Sequence, residues 1–521
     1  MPEYLSPGVY VEEFDAAHHP IEGVTSSTAA FLGETERGPV RPQLVTSHAD
    51  YTRWFGGTFA QGKYMPHAVR GFFDNGGRQL YVCRITGKTA TAAFHDFGSL
   101  RVAATGPGAW GKRVFVQLLP STLPNPDNAG SKIRVGFRIQ AAYWSTSPAG
   151  FAPFNPLSPA HRNKKPRPDV VEDFDNLSLF ERSPNHFAKR VNGTSTLIGL
   201  SINAAGEPLK VRLGRGLALD CEGNEANPLD ADYEGDDPDP DKRTGLSALA
   251  LGTFRDVALV YAPGVTAPGS KSILERIIAH CERGGRQFAV VDCAPKARDV
   301  TKLDPRNDIT PSSHAAFYYP WIVTPDPRTG ARQTVPPGGH VLGIYARVDA
   351  EHGVFKAPAN EPLRGAVDLE FQVDGRALEI AIARGVNVIR RLNDRRVVIW
   401  GAGTLSTDSE WKYVNVRRTL IFLEASIYEG IRWAVFEPND ERLWVRVSEA
   451  IGDFLTTQWQ SGALMGATPD KAFFVRCDRT TMTQDDIDNG RLICVIGVAP
   501  VKPAEFVIIR IGQWVGQHND D

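Results

Sequence analysis

Apolar residues fall along this chain in distinct rhythms that change with position. Unbroken apolar runs mark buried strands in TAAFLGETERGP, RQLYVCRI, DVALVYAP (Asp256 to Pro263), QFAVVDCAP and AAFYYPWIVTPD. Between them, ADYTRWFG, HAVRGFFDNGG and SKSILERIIAHCERGG space their apolar residues as helix faces do, the last closing on Gly284–Gly285. Strands alternating with helices predict a partly parallel sheet. Near Thr86 the rhythm breaks. From about 90 to 245 the chain is rich in Pro, Asn and Gly, with strand candidates RVFVQLLP, KIRVGFRIQAAYW and STLIGLSI. That stretch predicts a β-rich domain inserted into the first one.

After about 350 the spacing becomes helical for longer. Val416, Leu420, Leu423, Ile427 and Ile431 recur at steps of three and four. ERLWVRVSEAIGDFLTTQWQSGAL is a second such stretch, with Pro438 and then Asn439 or Asp440 as its N-cap. Strands Phe473–Cys477 and Arg491–Ala499 follow. The expected fold is α+β / α/β and multidomain. A split α/β middle domain (26–90 and 246–350) carries a β-rich outer insertion (91–245), and a C-terminal α+β domain occupies 351–504.

Both termini read as isolated strands. PGVYVEEF spans Pro7 to Phe14, and EFVIIRIGQWV lies beyond the Pro500 to Pro503 break. β-branched and aromatic residues favour strand over helix in such runs. A strand with unpaired N–H and C=O groups is an aggregation hazard unless its edges are occupied. Arms at 1–25 and 505–521 therefore predict a subunit that donates strands to its neighbours. The residues expected to pair are Val9, Tyr10, Val11 and Glu12 at one end and Phe506, Val507, Ile508, Ile509, Arg510 and Ile511 at the other.

Composition narrows the classes. At 521 residues the chain exceeds the size of one core. With 42% hydrophobic and 23% charged residues it resembles ordinary globular protein. Lys and Arg number 58 against 60 Asp and Glu, a formal net charge of −2, which argues against a nucleic-acid binder. The opening MPEYLSPGVYVEEF carries no secretory pattern, and no apolar run is long enough to span a membrane. Synthesis and assembly in the cytoplasm are expected, without membrane insertion. Six scattered cysteines with no C-x-x-C pair read as free thiols in that compartment.

Few motifs suggest chemistry. GPGAWGKR (Gly106 to Arg113) fits G-x4-G-K, but Arg113 stands where a phosphate loop needs Ser or Thr, and a strand follows where a helix should. It reads as a tight turn. DADYEGDDPDPD sets Asp230, Asp232, Glu234 and Asp236 at alternate positions of an EF-hand-like loop, yet Pro238 and Pro240 stiffen it and no helices flank it. A solvated acidic loop is the simpler reading. His18 and His19, adjacent on an extended arm, point to opposite sides. The basic HRNKKPRPD (His161 to Asp169) lacks interleaved aromatics and reads as a solvated loop. No H-E-x-x-H or G-x-S-x-G occurs, and neither a catalytic set nor a cofactor or metal site is expected.

Several segments carry a resemblance. YLSPGVYVEE, GGRQLYVCRI (Gly76 to Ile85), GVFKAPANEPLRGA (Gly353 to Ala366), VVIWGAGTL (Val397 to Leu405), EWKYVNVRRTLIFLEASI (Glu410 to Ile427) and GVAPVKPAEFVIIRIGQ look like a contractile-tail sheath protein of phage tails and phage-tail-like injection systems. GPGAWGKR is similar to the PG-x-WG turn of that family. The resemblance implies that the terminal arms add strands to a sheet in the C-terminal domain of neighbouring copies. It also implies that this domain lines an inner tube, the α/β domain forms the middle and the insertion faces outward. Expected partners are the chain itself as a helical polymer, an inner tube protein, and baseplate and terminal cap proteins. Arg442, Arg446 and Glu449 are candidate tube contacts.

Two alternatives remain at this point. An α/β hydrolase-like or nucleotide-dependent enzyme would use the strands around Val257–Asp292, with Lys112 and Asp292 as its residues. A Ca2+-dependent adhesin would use the 230–241 loop.

Overall fold

A computed structural model describes residues 20–123, 136–146, 148, 150–161, 163–203, 211–214, 216–326, 329–373, 375–392 and 396–505. Val9 to Glu12, His18, His19 and Phe506 to Ile511 lie outside the described residues. The chain divides into two compact units, residues 25–418 and residues 1–24 with 419–521.

The larger unit is built on an eight-stranded sheet. Its strands run in the order Val397–Trp400, Val386–Arg391, Ala315–Tyr319, Phe288–Cys293, Leu259–Ala267, Ala29–Gly33, Leu80–Arg84, Gln43–Val45. All neighbours are parallel except the two edge pairs. The central strands are apolar on both sides because both faces are covered. Ala30, Leu32, Val260, Ala289 and Val291 share a core with Ile273, Leu274, Ile277 and Ile278 of the helix Lys271–Gly284. That helix ends on Gly285 in the left-handed conformation, φ 63°. Phe31 points the other way, meeting Phe72 and Tyr261 edge-on at 5.6 and 5.2 Å. Here the helices Met65–Asp74 and Gly338–Glu351 pack backbone to backbone. A methyl group on Gly339 or Gly343 would sit 2.4 Å from the carbonyl oxygen of Ala68 or Phe72.

Between the strands Leu80–Arg84 and Leu259–Ala267 the chain forms two four-stranded antiparallel sheets. Val102, Trp110, Val116, Ile139, Tyr143 and Leu200 belong to the core they share. Gly106–Arg113 sits between two strands, with a 3-10 turn over Ala109–Arg113 leading straight into Val114–Pro120. The AAFYYPWIVTPD run is not one strand. It breaks after Tyr319, and Ile322–Pro325 pairs instead in a three-stranded sheet with Arg332–Val335 and Asp368–Leu369. Pro320 has no N–H to continue a ladder.

The boundaries differ from the expected ones. Residues 351–418 belong to the larger unit, because Val386–Arg391 and Val397–Trp400 close its sheet. Residues 91–245 contribute their two sheets to the same unit and are not divided from it.

The smaller unit has its own core of Leu423, Leu443, Trp444, Val447, Ile451, Phe454, Leu455 and Met482. Its framework is the helix Glu441–Gln460, whose apolar stripe faces that core, and the two-stranded sheet Phe473–Arg476 with Val495–Val498. Residues 20–24 are seated in it. Ile21 is buried against Gly430, and the amide of Val24 donates to Ser426 Oγ at 3.1 Å. The described end of the N-terminal arm is therefore anchored.

Candidate functional site: an open sheet on an amphipathic helix

Antiparallel pairing sets Phe473 against Val498, Val475 against Ile496 and Arg476 against Val495. One face of this ladder, with Phe473, Val475, Ile496 and Val498, packs on the core of the smaller unit. The other face leaves Phe474 and Val495 exposed, with the Arg476 guanidinium 5.3 Å over the Phe474 ring. Among the described residues no third strand joins either side, so both outer edges are open. Two strands alone are marginal in water, and this pair leans on the helix behind it. The chain beyond the second strand bridges back, with Leu464 opposite Pro500 and the Met465 amide donating to the Ala499 carbonyl at 2.7 Å.

The loop joining the strands is ordered by charge. Thr483 caps the short helix Gln484–Asp488 in a capping box with Asp486, and Arg491 reaches both Asp485 (2.7 Å) and Asp486 (2.8 Å). Hydrogen bonds from Thr483 and then Arg491 hold the Asp486 carboxyl down to about 2.

The helix Glu441–Gln460 begins at Asp440, whose carboxylate accepts from the Leu443 amide at 2.9 Å. Asn439, the other N-cap candidate, instead accepts from the Trp444 indole at 2.8 Å. Arg442, Val445, Arg446, Glu449 and Asp453 lie opposite the apolar stripe. Arg446 is engaged there by Glu437 at 3.3 Å and stands 5.2 Å over the Trp433 ring. At the start of this helix lies a groove of about 900 Å³ lined by Tyr428, Ile431, Val435, Leu443, Val447 and Leu492. Phe436 at its rim is fully exposed, with φ 71°.

The larger unit places the residues of the enzymatic alternative elsewhere. Asp292 is wholly buried, accepting from the Tyr261 hydroxyl and from the Gly338 amide at 3.0 Å. Burial raises its carboxyl to about 7. A carboxylate at the start of the helix Gly338–Glu351 anchors that helix to the sheet. Toward the other end of that helix, Arg418 forms a buried ion pair with Asp349, Nη1 to Oδ1 at 2.9 Å, while Ser26 Oγ donates to the same carboxylate at 2.7 Å. Sequence reasoning passed over this pair because nothing in local spacing links residues 26, 349 and 418.

The acidic loop does not converge on a point. Asp232 accepts from the Leu229 amide, Asp239 from the Asp241 amide, and Asp241 meets Arg41 at 3.3 Å. Among the described residues the His, Cys and carboxylate ligand atoms that come together are those of His95, Asp220 and Cys221, within 4.8 Å of one another. In the basic loop, Lys164 stands 4.4 Å over the Phe154 ring, an aromatic partner outside the charged run itself. No helix among the described residues is long and apolar enough to cross a membrane.

The described residues form a large mixed α/β unit and a second unit that carries a two-stranded sheet. Comparison with known proteins gives the class. Residues 241–405 match the model of the phage tail sheath protein central domain, and 406–513 match that of the phage tail sheath C-terminal domain. The chain belongs to the contractile tail sheath family.

A relative described as a prophage major tail sheath protein of Pseudomonas aeruginosa (strain UCBPP-PA14) is 25% identical over 284 residues, 53% of this chain and 71% of that one. The tail sheath protein of Salmonella phage ViI is 22% identical over 259 residues, which is 45% of this chain and 40% of the phage protein. The fold is similar to the helical sheath of the anti-feeding prophage in its contracted state, with TM-score 0.58, 22% identity and coverage of 98% and 100%. It is also similar to the contracted PVC sheath complex of an extracellular contractile injection system, with TM-score 0.56, 22% identity and coverage of 99% of each chain.

Proposed function

We propose that the chain polymerises as a helical sheath around an inner tube, its terminal arms adding strands to neighbouring copies, and contracts to drive the tube into a target. The observation that carries this reading is the two-stranded sheet of Phe473–Arg476 and Val495–Val498, open on both edges among the described residues. Arms containing Val9 to Glu12 and Phe506 to Ile511 are the strands of matching character. The sheet would then be completed between copies. The remaining domain assignment goes with it: an α/β middle layer, the 91–245 sheets outward, and the smaller unit toward the tube.

Each main-chain hydrogen bond contributes about 0.5–1.5 kcal/mol net, so two arms with about ten bonds contribute several kcal/mol per copy. Backbone pairing survives a change of angle between copies if the segments leading to the arms give way. Ile21 and Val24 are anchored in the smaller unit and do not serve as that give. A head-to-tail contact of this kind generates an open helix. Arg442, Arg446 and Glu449 would face the tube, with Arg446 giving up Glu437 to do so. Baseplate and terminal cap proteins would hold the ends of the polymer. No cofactor enters, and the work comes from the lattice. The non-enzymatic reading is supported by Asp292, whose oxygens are sealed from any substrate by Tyr261 and Gly338.

Electron microscopy of the full chain and of a chain lacking residues 505–521 tests the reading. The full chain should form tubules and the shortened one should stay soluble and monomeric. Tubules from the shortened chain would overturn the role of the C-terminal arm.

A further inference from the structure

The ladder of the two-stranded sheet ends with Arg476 opposite Val495. One more step in the same register sets Cys477 opposite Cys494. Directly opposed residues of an antiparallel pair have Cα atoms about 4.5–5.5 Å apart, inside the range of about 4.4–6.8 Å that a disulfide spans. The legs of the 478–493 loop are already tied together beside them. Thr481 Oγ1 donates to the Ile493 carbonyl at 2.8 Å and accepts from the Asp478 amide at 3.2 Å. The other four cysteines, Cys83, Cys221, Cys281 and Cys293, all belong to the larger unit. We propose that Cys477 and Cys494 are a redox-responsive pair that closes to a disulfide on contact with a peroxide, stapling the neck of this loop at the end of the sheet.

The two thiols divide the labour. A hydrogen bond from Cys494 draws the Cys477 thiol below its ordinary range, with Ser448 assisting, against burial and the charge of Asp478. The same bond, with burial, pushes Cys494 up. Cys477 is thus the nucleophile and Cys494 the proton-bearing resolving thiol. The Cys477 thiolate attacks one oxygen of hydrogen peroxide and the O–O bond breaks, leaving a sulfenic acid and hydroxide. The Cys494 sulfur then attacks the sulfenic sulfur. The S–S bond forms, the S–O bond breaks, and the hydroxyl leaves with the Cys494 proton as water. Two thiols lose two electrons, and the peroxide becomes two waters. Cys494 is half-buried and Cys477 is 8% exposed, so a small oxidant suits the site. A chain made under reducing conditions carries the pair as thiols until it meets such an oxidant.

The test uses the full chain, freed of reductant and treated with hydrogen peroxide, then alkylated with N-ethylmaleimide in denaturant and mapped without reduction. The expected result is a linked pair of peptides joining Cys477 to Cys494, lighter by two hydrogen atoms than the free pair. Cys83, Cys281 and Cys293 should remain alkylated. The unfolding midpoint of the smaller unit should rise, and dithiothreitol should reverse the rise. In Cys494→Ser, Cys477 should stop at the sulfenic acid, which dimedone traps, and the midpoint should not rise. Full alkylation of Cys477 and Cys494 after peroxide, or Cys477 joined to another cysteine, would overturn the pairing. The bond lies within one chain, so this outcome is read apart from whether the chain polymerises.

Discussion

Arg418 and Asp349 have side chains only 4% exposed, and each is the other's counter-charge. The Arg418 guanidinium also donates to the Ser26 carbonyl at 2.9 Å and stands 4.8 Å over the Tyr345 ring. Burial opposes its charge, but Asp349 more than compensates and raises its pKa. Breaking such a pair by removing one partner leaves an uncompensated charge, at a cost of about 3–5 kcal/mol. Arg418→Met should therefore lower the urea midpoint of the larger unit strongly, whereas replacing both residues with apolar ones should recover much of the loss. Asp486 is a different case, half-buried in its loop and held down to about 2 by Thr483 and Arg491. Its folded pKa lies below its ordinary 3.8, so its contribution is present above about pH 4 and is lost as pH falls toward 2. Asp486→Asn should flatten the stability profile of the smaller unit in that window, as followed by circular dichroism.

At the scale of elements, the helix Glu441–Gln460 carries the smaller unit, and its start was readable from Pro438 and the polar pair after it. Which of the pair caps was not readable, because Asn and Asp are equally good N-caps. Tertiary packing chose. Asn439 was taken by the Trp444 indole, leaving Asp440 to meet the Leu443 amide. Asp440→Ala should cost about 1 kcal/mol, measured as a shift in the unfolding midpoint, and Asn439→Ala should act instead through Trp444. The strands of the large sheet were legible for a related reason. An apolar run between turn signals can form a strand buried on both faces, as Phe288–Cys293 and Ala315–Tyr319 do. The break in AAFYYPWIVTPD was marked only by Pro320, and the partner strand Asp368–Leu369 is too short to leave a pattern.

For the molecule as a whole, the division at residue 418 carries the functional argument. The open sheet belongs to a unit whose described part is small, so strands added by other copies would stabilise it far more than they would a complete sheet. Loss of residues 505–521 should accordingly abolish sedimentation as polymer while leaving the circular dichroism of the larger unit intact. If the shortened chain sedimented like the full one, strand exchange at this end would be excluded.

The linear order of residues was enough to determine much of the alternation of strand and helix, three of the eight described strands between 91 and 245 (Val114–Pro120, Phe137–Tyr143 and Ile198–Ile202) and the amphipathic stripe from Leu443 to Leu455, and its motifs carried the family resemblance. The elements rest on spacing within a few residues, the resemblance on whole motifs. The tertiary structure alone decided that Ala29–Gly33 lies between Leu80–Arg84 and Leu259–Ala267, that Val386–Trp400 closes the large sheet, that Ile21 seats against Gly430, and that Cys477 stands across from Cys494. Those are meetings of distant segments. Period-two and period-3.6 patterns say which side of an element is apolar but carry no label for the partner that will cover it.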